Sequence, residues 1–200
     1  MSKPLNDVQS HRTNGGTAPL CIDGIDLPDA PPPSPNGRIV YEHMGIHIDH
    51  EGGWHYHGSP IRRKELVCLF ASALMRDGDG RHWLVTPAEM GPIDVDDAPF
   101  LAVEMFIAGN GAEQCISFRT NIDEIVTIDD EHPLRLGEAT QTGETVPYVV
   151  LRRRLEARLT RAVYYDLVEL ATETEIDGQK CYAVWSRGRQ FPLSWIDEAA

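Results

Sequence analysis

Ile46-His47-Ile48-Asp49-His50-Glu51-Gly52-Gly53-Trp54-His55-Tyr56-His57 is the stretch on which the reading of the fold turns. Apolar and polar residues alternate at period two on both sides of Glu51-Gly52-Gly53, as in two antiparallel strands joined by a three-residue, Gly-bearing loop. In that register Ile46, Ile48, Trp54 and Tyr56 share the buried face. His47, Asp49, His55 and His57 gather on the other, with Asp49 opposite His55 and His47 opposite His57. Four metal-competent side chains on one patch also describe the solvated face of a half-buried sheet. That plainer reading is preferred, and no metal site is assigned.

Beyond the hairpin the period changes. Leu66, Val67, Phe70, Ala73 and Leu74 recur at helical spacing, predicting a helix over Arg63 to Met75 that stops at Asp77-Gly78-Asp79-Gly80. His82 to Thr86 and Pro92 to Val95 read as strands, and Asp96-Asp97-Ala98-Pro99 as the turn out of them. A second unit follows, with strands expected near 100–108, 114–119, 124–128 and 148–151. A helix is expected from about Leu155 to Leu170, then strands near 180–186 and 190–193. Both units run helix, Asp-Gly turn, strand ending in a hydroxyl (Thr86, Ser186), loop and strand, the order a duplication would leave. The fold class expected is α+β, with two tandem, duplicated, β-rich domains of one main helix each, at 39–98 and 99–200. Residues 1–38 hold seven of the fourteen prolines and no apolar period, and read as a flexible Pro-rich tail.

The 200 residues are enough to bury a core without metal or disulfide staples. Eighteen basic residues against 31 acidic ones leave a net charge of −13, which argues against a surface that coats bulk nucleic acid or a membrane. No apolar run approaches the roughly 18 residues of a spanning helix, and the first residues lack the apolar core of a secretory signal. A cytoplasmic location is expected. Cys21, Cys68, Cys115 and Cys181 lie far apart with no Cys-x-x-Cys pair, so neither a zinc knuckle nor a redox motif is indicated, and no cofactor is implied.

The charge is unevenly spread. Residues 84–131 hold eleven acids and one base, Arg119, whereas residues 151–161 hold five arginines and one acid, Glu156. Arg152-Arg153-Arg154 precede the expected second helix, and guanidinium groups beside helix amides suit a small phosphate-bearing ligand. An Arg run on a solvated helix face is the competing reading. The usual catalytic arrangements are missing: Gly58-Ser59-Pro60 is no nucleophile elbow, and Gly109-Asn110-Gly111 lacks the Lys and hydroxyl of a phosphate loop. His132, between Asp129-Asp130-Glu131 and Pro133, is placed either as a donor to a ligand or in a plain surface turn.

Several ordered strings resemble a bacterial family, the domain of unknown function 1285 family. They are Trp54-x-Tyr56-x-Gly58-Ser59-Pro60-Ile61-x-Arg63, Leu84-Val85-Thr86-Pro87-x-Glu89, Val95-Asp96-Asp97-Ala98-Pro99-Phe100, Phe118-Arg119-Thr120-Asn121, His132-Pro133, Pro147-Tyr148 and Ser186-x-Gly188-x-x-Phe191. The likeness spans about residues 40 to 195, with Asp96 where the family pattern has Glu. It implies two duplicated α+β domains, the second superficially like a pleckstrin-homology fold. It also implies a nucleotide-like ligand between the domains, a signalling role and no established enzymatic activity. The ligand residues then expected are Arg63, Thr86, Glu89 and Asp97 from the first half, and Arg119, Asn121, His132, Tyr148, Arg152 and Ser186 from the second. Arg63, Arg119 and Arg152 would hold an anionic group, Tyr148 or Trp54 would stack a ring, and Thr86 and Ser186 would donate hydroxyls. Arg119 is equally placed to pair with Asp123. The functional expectation is a regulatory binding module for a small anionic ligand. The alternatives are a hydrolase or transferase acting on that ligand, and a protein-interaction module with none.

Overall fold

A computed structural model describes residues 38–140 and 143–196, so the expected tail lies outside the described residues apart from Arg38. The first seven strands are β1 (Ile39–Val40), β2 (Ile46–Ile48), β3 (Trp54–Tyr56), β4 (Ser59–Pro60), β5 (Leu74–Arg76), β6 (His82–Val85) and β7 (Glu89–Val95). They form one sheet in the order β4-β3-β2-β7-β6-β5, with β1 also on β7. Helix α1 (Lys64–Ser72) crosses from β4 to β5. The second half holds β8 (Phe100–Ala108), β9 (Cys115–Thr120), β10 (Ile125–Thr127), β11 (Leu134–Glu138), β12 (Thr145–Val150) and β13 (Glu156–Leu159), ordered β10-β9-β8-β13-β12-β11. Helix α2 (Arg161–Val168) then leads into a three-stranded sheet of β14 (Thr172–Ile176), β15 (Gln179–Ser186) and β16 (Arg189–Trp195). The architecture is α+β in two tandem halves, each with one α-helix followed by an antiparallel three-strand meander.

Local chemistry corrects the sequence reading in three places. In the hairpin, His47 faces His55 and Ile48 faces Trp54, which moves the register by two residues and lengthens the loop to Asp49–Gly53. The Asp49 carboxylate accepts the N–H of Glu51 at 2.9 Å and of Gly53 at 2.7 Å, so its side chain organises a turn and leaves the strand. Trp54 is buried but Tyr56 is 52% exposed, so it does not share the core face. His47 pairs with Asp96 and His55 with Asp49, each at 2.8 Å, and no cluster suited to a metal ion occurs among the described residues.

Helix α1 stops three residues early because Leu74 and Met75 bury themselves by pairing with β6. The largest correction concerns the second helix. Leu155 and Leu159 fit helical spacing, but with Ala157 they fit period two equally well. All three are buried, and β13 fills the gap between β8 and β12. The helix begins only at Arg161. Arg152–Arg154 form a 3₁₀ turn instead, with φ of 54° at Arg153 and 60° at Arg154, and so do not sit at a helix N-terminus.

That turn joins the halves. Arg152 donates to Ala71 O at 3.0 Å and Arg153 to Ser72 O at 3.1 Å, satisfying last-turn carbonyls of α1, which has no basic residue of its own there. Arg152 also pairs with Glu124, and its guanidinium lies 5.8 Å from the centre of the Phe100 ring. Elsewhere the hairpin loop rests on the outer face of the six-stranded sheet, where Asn121 donates to Gly52 O at 3.3 Å and Arg158 to His50 O. A Cβ on Gly52 would meet Asn121 Nδ2 at 2.7 Å, and φ there is +74°, so only glycine fits. One apolar cluster runs from Ile48 and Leu74 to Phe100, Ala157 and Val184, joining the two halves. Arg152→Ala is expected to lower the unfolding free energy by about 1–3 kcal/mol, because it leaves a helix-end carbonyl and the Glu124 carboxylate without their partner. Urea titration reads this directly, and an unchanged midpoint would mean the contact contributes nothing.

Candidate functional site

Strands β1 and β2 both run parallel to β7, end to end along one edge. From Val40 to His47 the chain advances seven residues while β7 advances four, from Met90 to Asp94. The surplus of three residues makes Tyr41–Gly45 bow out, tethered by Tyr41 N to Met90 O at 2.9 Å and Met44 N to Pro92 O at 3.0 Å. Gly91 lets this bow lie close: a Cβ there would stand 2.9 Å from Met44 Cγ and 3.2 Å from Tyr41 Cβ. Gly45, at φ +69°, does the same for His57, whose ring a Cβ would meet at 2.6 Å.

A cleft of about 580 Å³ opens between this bow and α1. Its floor is Ile46 and Leu84, and Ile61, Leu66 and Phe70 form the wall on the helix side. Tyr41, His43, Met44, Tyr56 and His57 form the opposite rim, with the Tyr56 and His57 rings in edge contact at 4.3 Å. Thr86 and Glu89 close one end. A volume of this size with apolar walls and few polar groups is the ordinary form of a small-molecule site. The Glu89 carboxylate has no cation within ion-pair distance among the described residues, and the lining contains no Lys or Arg.

The ten residues expected to bind ligand are dispersed. Thr86 and Glu89 meet in the cleft, but the Thr86 hydroxyl is held by its own turn, donating to Glu89 O at 2.9 Å and accepting Glu89 N at 3.0 Å. Arg63 is the exposed N-cap of α1. Arg119 is held by Glu104 at 2.6 Å and Asp123 at 3.0 Å. Asn121 accepts Leu101 N at 3.1 Å while donating to Gly52. Tyr148 and Asp97 do meet, hydroxyl to carboxylate at 2.8 Å, beside Arg158 Nε at 3.2 Å from the carboxylate. Burial and the Asp97 bond both push the Tyr148 phenol up from its ordinary value. His132 Nδ1 lies 3.1 Å from Val150 O. Ser186 is buried, donating to Ile128 O at 2.8 Å and accepting Ile116 N at 3.1 Å. Its loop borders a second, polar cleft of about 370 Å³, where Arg187 faces Asp129 and Arg189 faces Asp130. Arg63, Arg119 and Arg152 line neither cleft.

Sequence reasoning missed Tyr41, His43, Met44 and His57 as lining residues. The available signal was Gly91, just before the expected strand at Pro92, where the missing Cβ admits a neighbouring segment closely.

Residues 37–98 match the N-terminal domain, and residues 99–193 the C-terminal domain, of a protein family of unknown function, DUF1285. A DUF1285 family protein from Silicibacter pomeroyi DSS-3 is 37% identical, with a TM-score of 0.72 over 80% of this chain and 85% of that one. A DUF1285 family protein from Shewanella baltica OS155 is 27% identical, with a TM-score of 0.50 over 63% of this chain and 91% of that one. No curated protein matches the chain.

Close to the junction of the halves, burial lowers the His82 imidazole to about 4, with Arg76 adding to the effect. Folded protein therefore takes up this proton less readily than unfolded chain, whose imidazole titrates near 6.5. Stability should fall as pH drops from 6.5 towards 4, by on the order of 2 kcal/mol from this residue. Replacing it, His82→Gln, should flatten that part of a urea-denaturation pH profile, and an unchanged slope would assign the loss to other groups.

Proposed function

The chain belongs to the DUF1285 family, and from that premise we propose that it is a non-catalytic binding module of regulatory use, acting in the cytoplasm. Its ligand is a small molecule with an apolar body, taken into the cleft between α1 and the Tyr41–Gly45 bow. The observation carrying this reading is the cleft itself: about 580 Å³, apolar on floor and wall, and held open by two glycines that seat its rim. Such a site orders a ligand by shape and by a few polar groups. The three described cysteines are free thiols, as a reducing compartment keeps them, and no helix of the described residues is long and apolar enough to cross a membrane.

A nucleotide-like anion between the domains has weaker support. Two of the three guanidinium groups it would need, those of Arg119 and Arg152, are engaged by carboxylates and a backbone carbonyl, and releasing them would expose those partners. An enzymatic alternative would rest on Glu89 as the one carboxylate in the cleft; its mark would be turnover lost in Glu89→Gln.

Ligand-observed NMR with a panel of small apolar and amphipathic fragments tests the reading. Binders should be found, and Ile61→Trp, which fills the cleft from its wall, should abolish their binding while shifting the melting temperature by only a few degrees. Fragments that bind the variant as well as the parent would place the site elsewhere.

A further inference from the structure

The lining of the cleft narrows the ligand class, an inference that rests on the small-molecule reading above. Glu89 and Gly91 are two apart on β7, so their α-carbons present the same face. Tyr41 Cβ lies over that face, 3.2 Å from where a Gly91 Cβ would be, and Tyr41 and Glu89 both line the cavity. Tyr56, with His57 at its edge, stands on the same rim, and Phe70 faces them from α1. The cavity therefore combines several π faces with a single carboxylate and no Lys or Arg.

We infer that the cleft is a cage for an organic cation: a small alkylammonium group held against the faces of Tyr41 and Tyr56 with Glu89 as counter-ion, its apolar portion lying on Leu66 and Phe70. Three physical terms agree. Aromatic faces attract a weakly hydrated ammonium group through their quadrupole. A half-buried carboxylate without a protein partner gains when a cation covers it. The surrounding field has the right sign, since the chain carries a net charge of −13 and residues 84–131, which include Glu89, hold eleven acids against one base. The same features reject a phosphate, which would meet Glu89 with like charge. The His43 ring is engaged on both nitrogens, Nδ1 accepting the Gly45 N–H at 2.9 Å and Nε2 lying 3.2 Å from the Asp94 carboxylate.

Calorimetric titration with choline and with its neutral isostere, in which carbon replaces the quaternary nitrogen, decides the matter. Choline should bind about tenfold or more tightly than the isostere, the effect of one favourable charge interaction. Glu89→Gln should reduce that preference severalfold, to what the aromatic faces alone supply, while leaving isostere binding unchanged. Tyr41→Leu should weaken choline about threefold to tenfold with less effect on the isostere. Glu113→Gln, an exposed acid outside the cleft, should change neither. Equal binding of the two probes, or a preference undiminished in Glu89→Gln, overturns the cation assignment and leaves the small-molecule reading standing. Failure of both probes overturns the assignment too, and together with an empty fragment panel it removes the small-molecule reading as well.

Discussion

The carbonyl end of α1 has no cation in its own last turn, and Arg152 and Arg153 reach it from the second half of the chain. Those carbonyls carry the negative end of the helix dipole and would otherwise be left short of donors beside the apolar core. Holding the two arginines in place needs a turn with two successive non-glycine residues at positive φ, an arrangement that persists only where surrounding contacts determine it. Here those contacts are Glu124 on one side, the Phe100 ring beneath, and β13 leading away into the sheet. The hairpin loop on Asn121 and Arg158 completes the junction. The halves behave as one packed body because their apolar clusters are continuous and their polar contacts are reciprocal.

This constraint also allocates the charges. The five arginines of residues 151–161 look like an anion site when read as a string, yet Arg152, Arg153 and Arg158 are turned inward against backbone carbonyls, with Asp97 beside Arg158. What remains open is the cleft of the first half, far richer in aromatic and aliphatic surface and holding one carboxylate, Glu89, with no ion-pair partner among the described residues. The net charge of −13 becomes in that setting a field that favours a small cation.

The strands with a single plausible period were legible before any coordinates: β8 spans 100–108 as expected, and β15 and β16 lie where alternation put them. So was the two-part α+β plan. The errors fell where two local readings tie. Leu155, Ala157 and Leu159 satisfy strand and helix periods together, and only a vacant place between β8 and β12 decides for a strand. Asp49 alternates like a strand residue but forms a turn through its carboxylate. Among the candidate site residues, Thr86 and Glu89 fall in the cleft, whereas Arg152 lies at the junction, where one partner, the Ala71 carbonyl, is invisible as side-chain chemistry. The bow of Tyr41–Gly45 has no local signature, since it arises from unequal residue counts along one edge of β7.

The central claim is that small-ligand recognition belongs to the first half alone and that the arginine junction is structural. Amide chemical-shift mapping during a choline titration locates binding without assuming either. The account predicts perturbations confined to Tyr41–Ile46, Tyr56–Ile61, Leu66–Phe70 and Leu84–Gly91. Perturbations centred on Arg119–Asn121 and Arg152–Arg158, with the cleft silent, would contradict it.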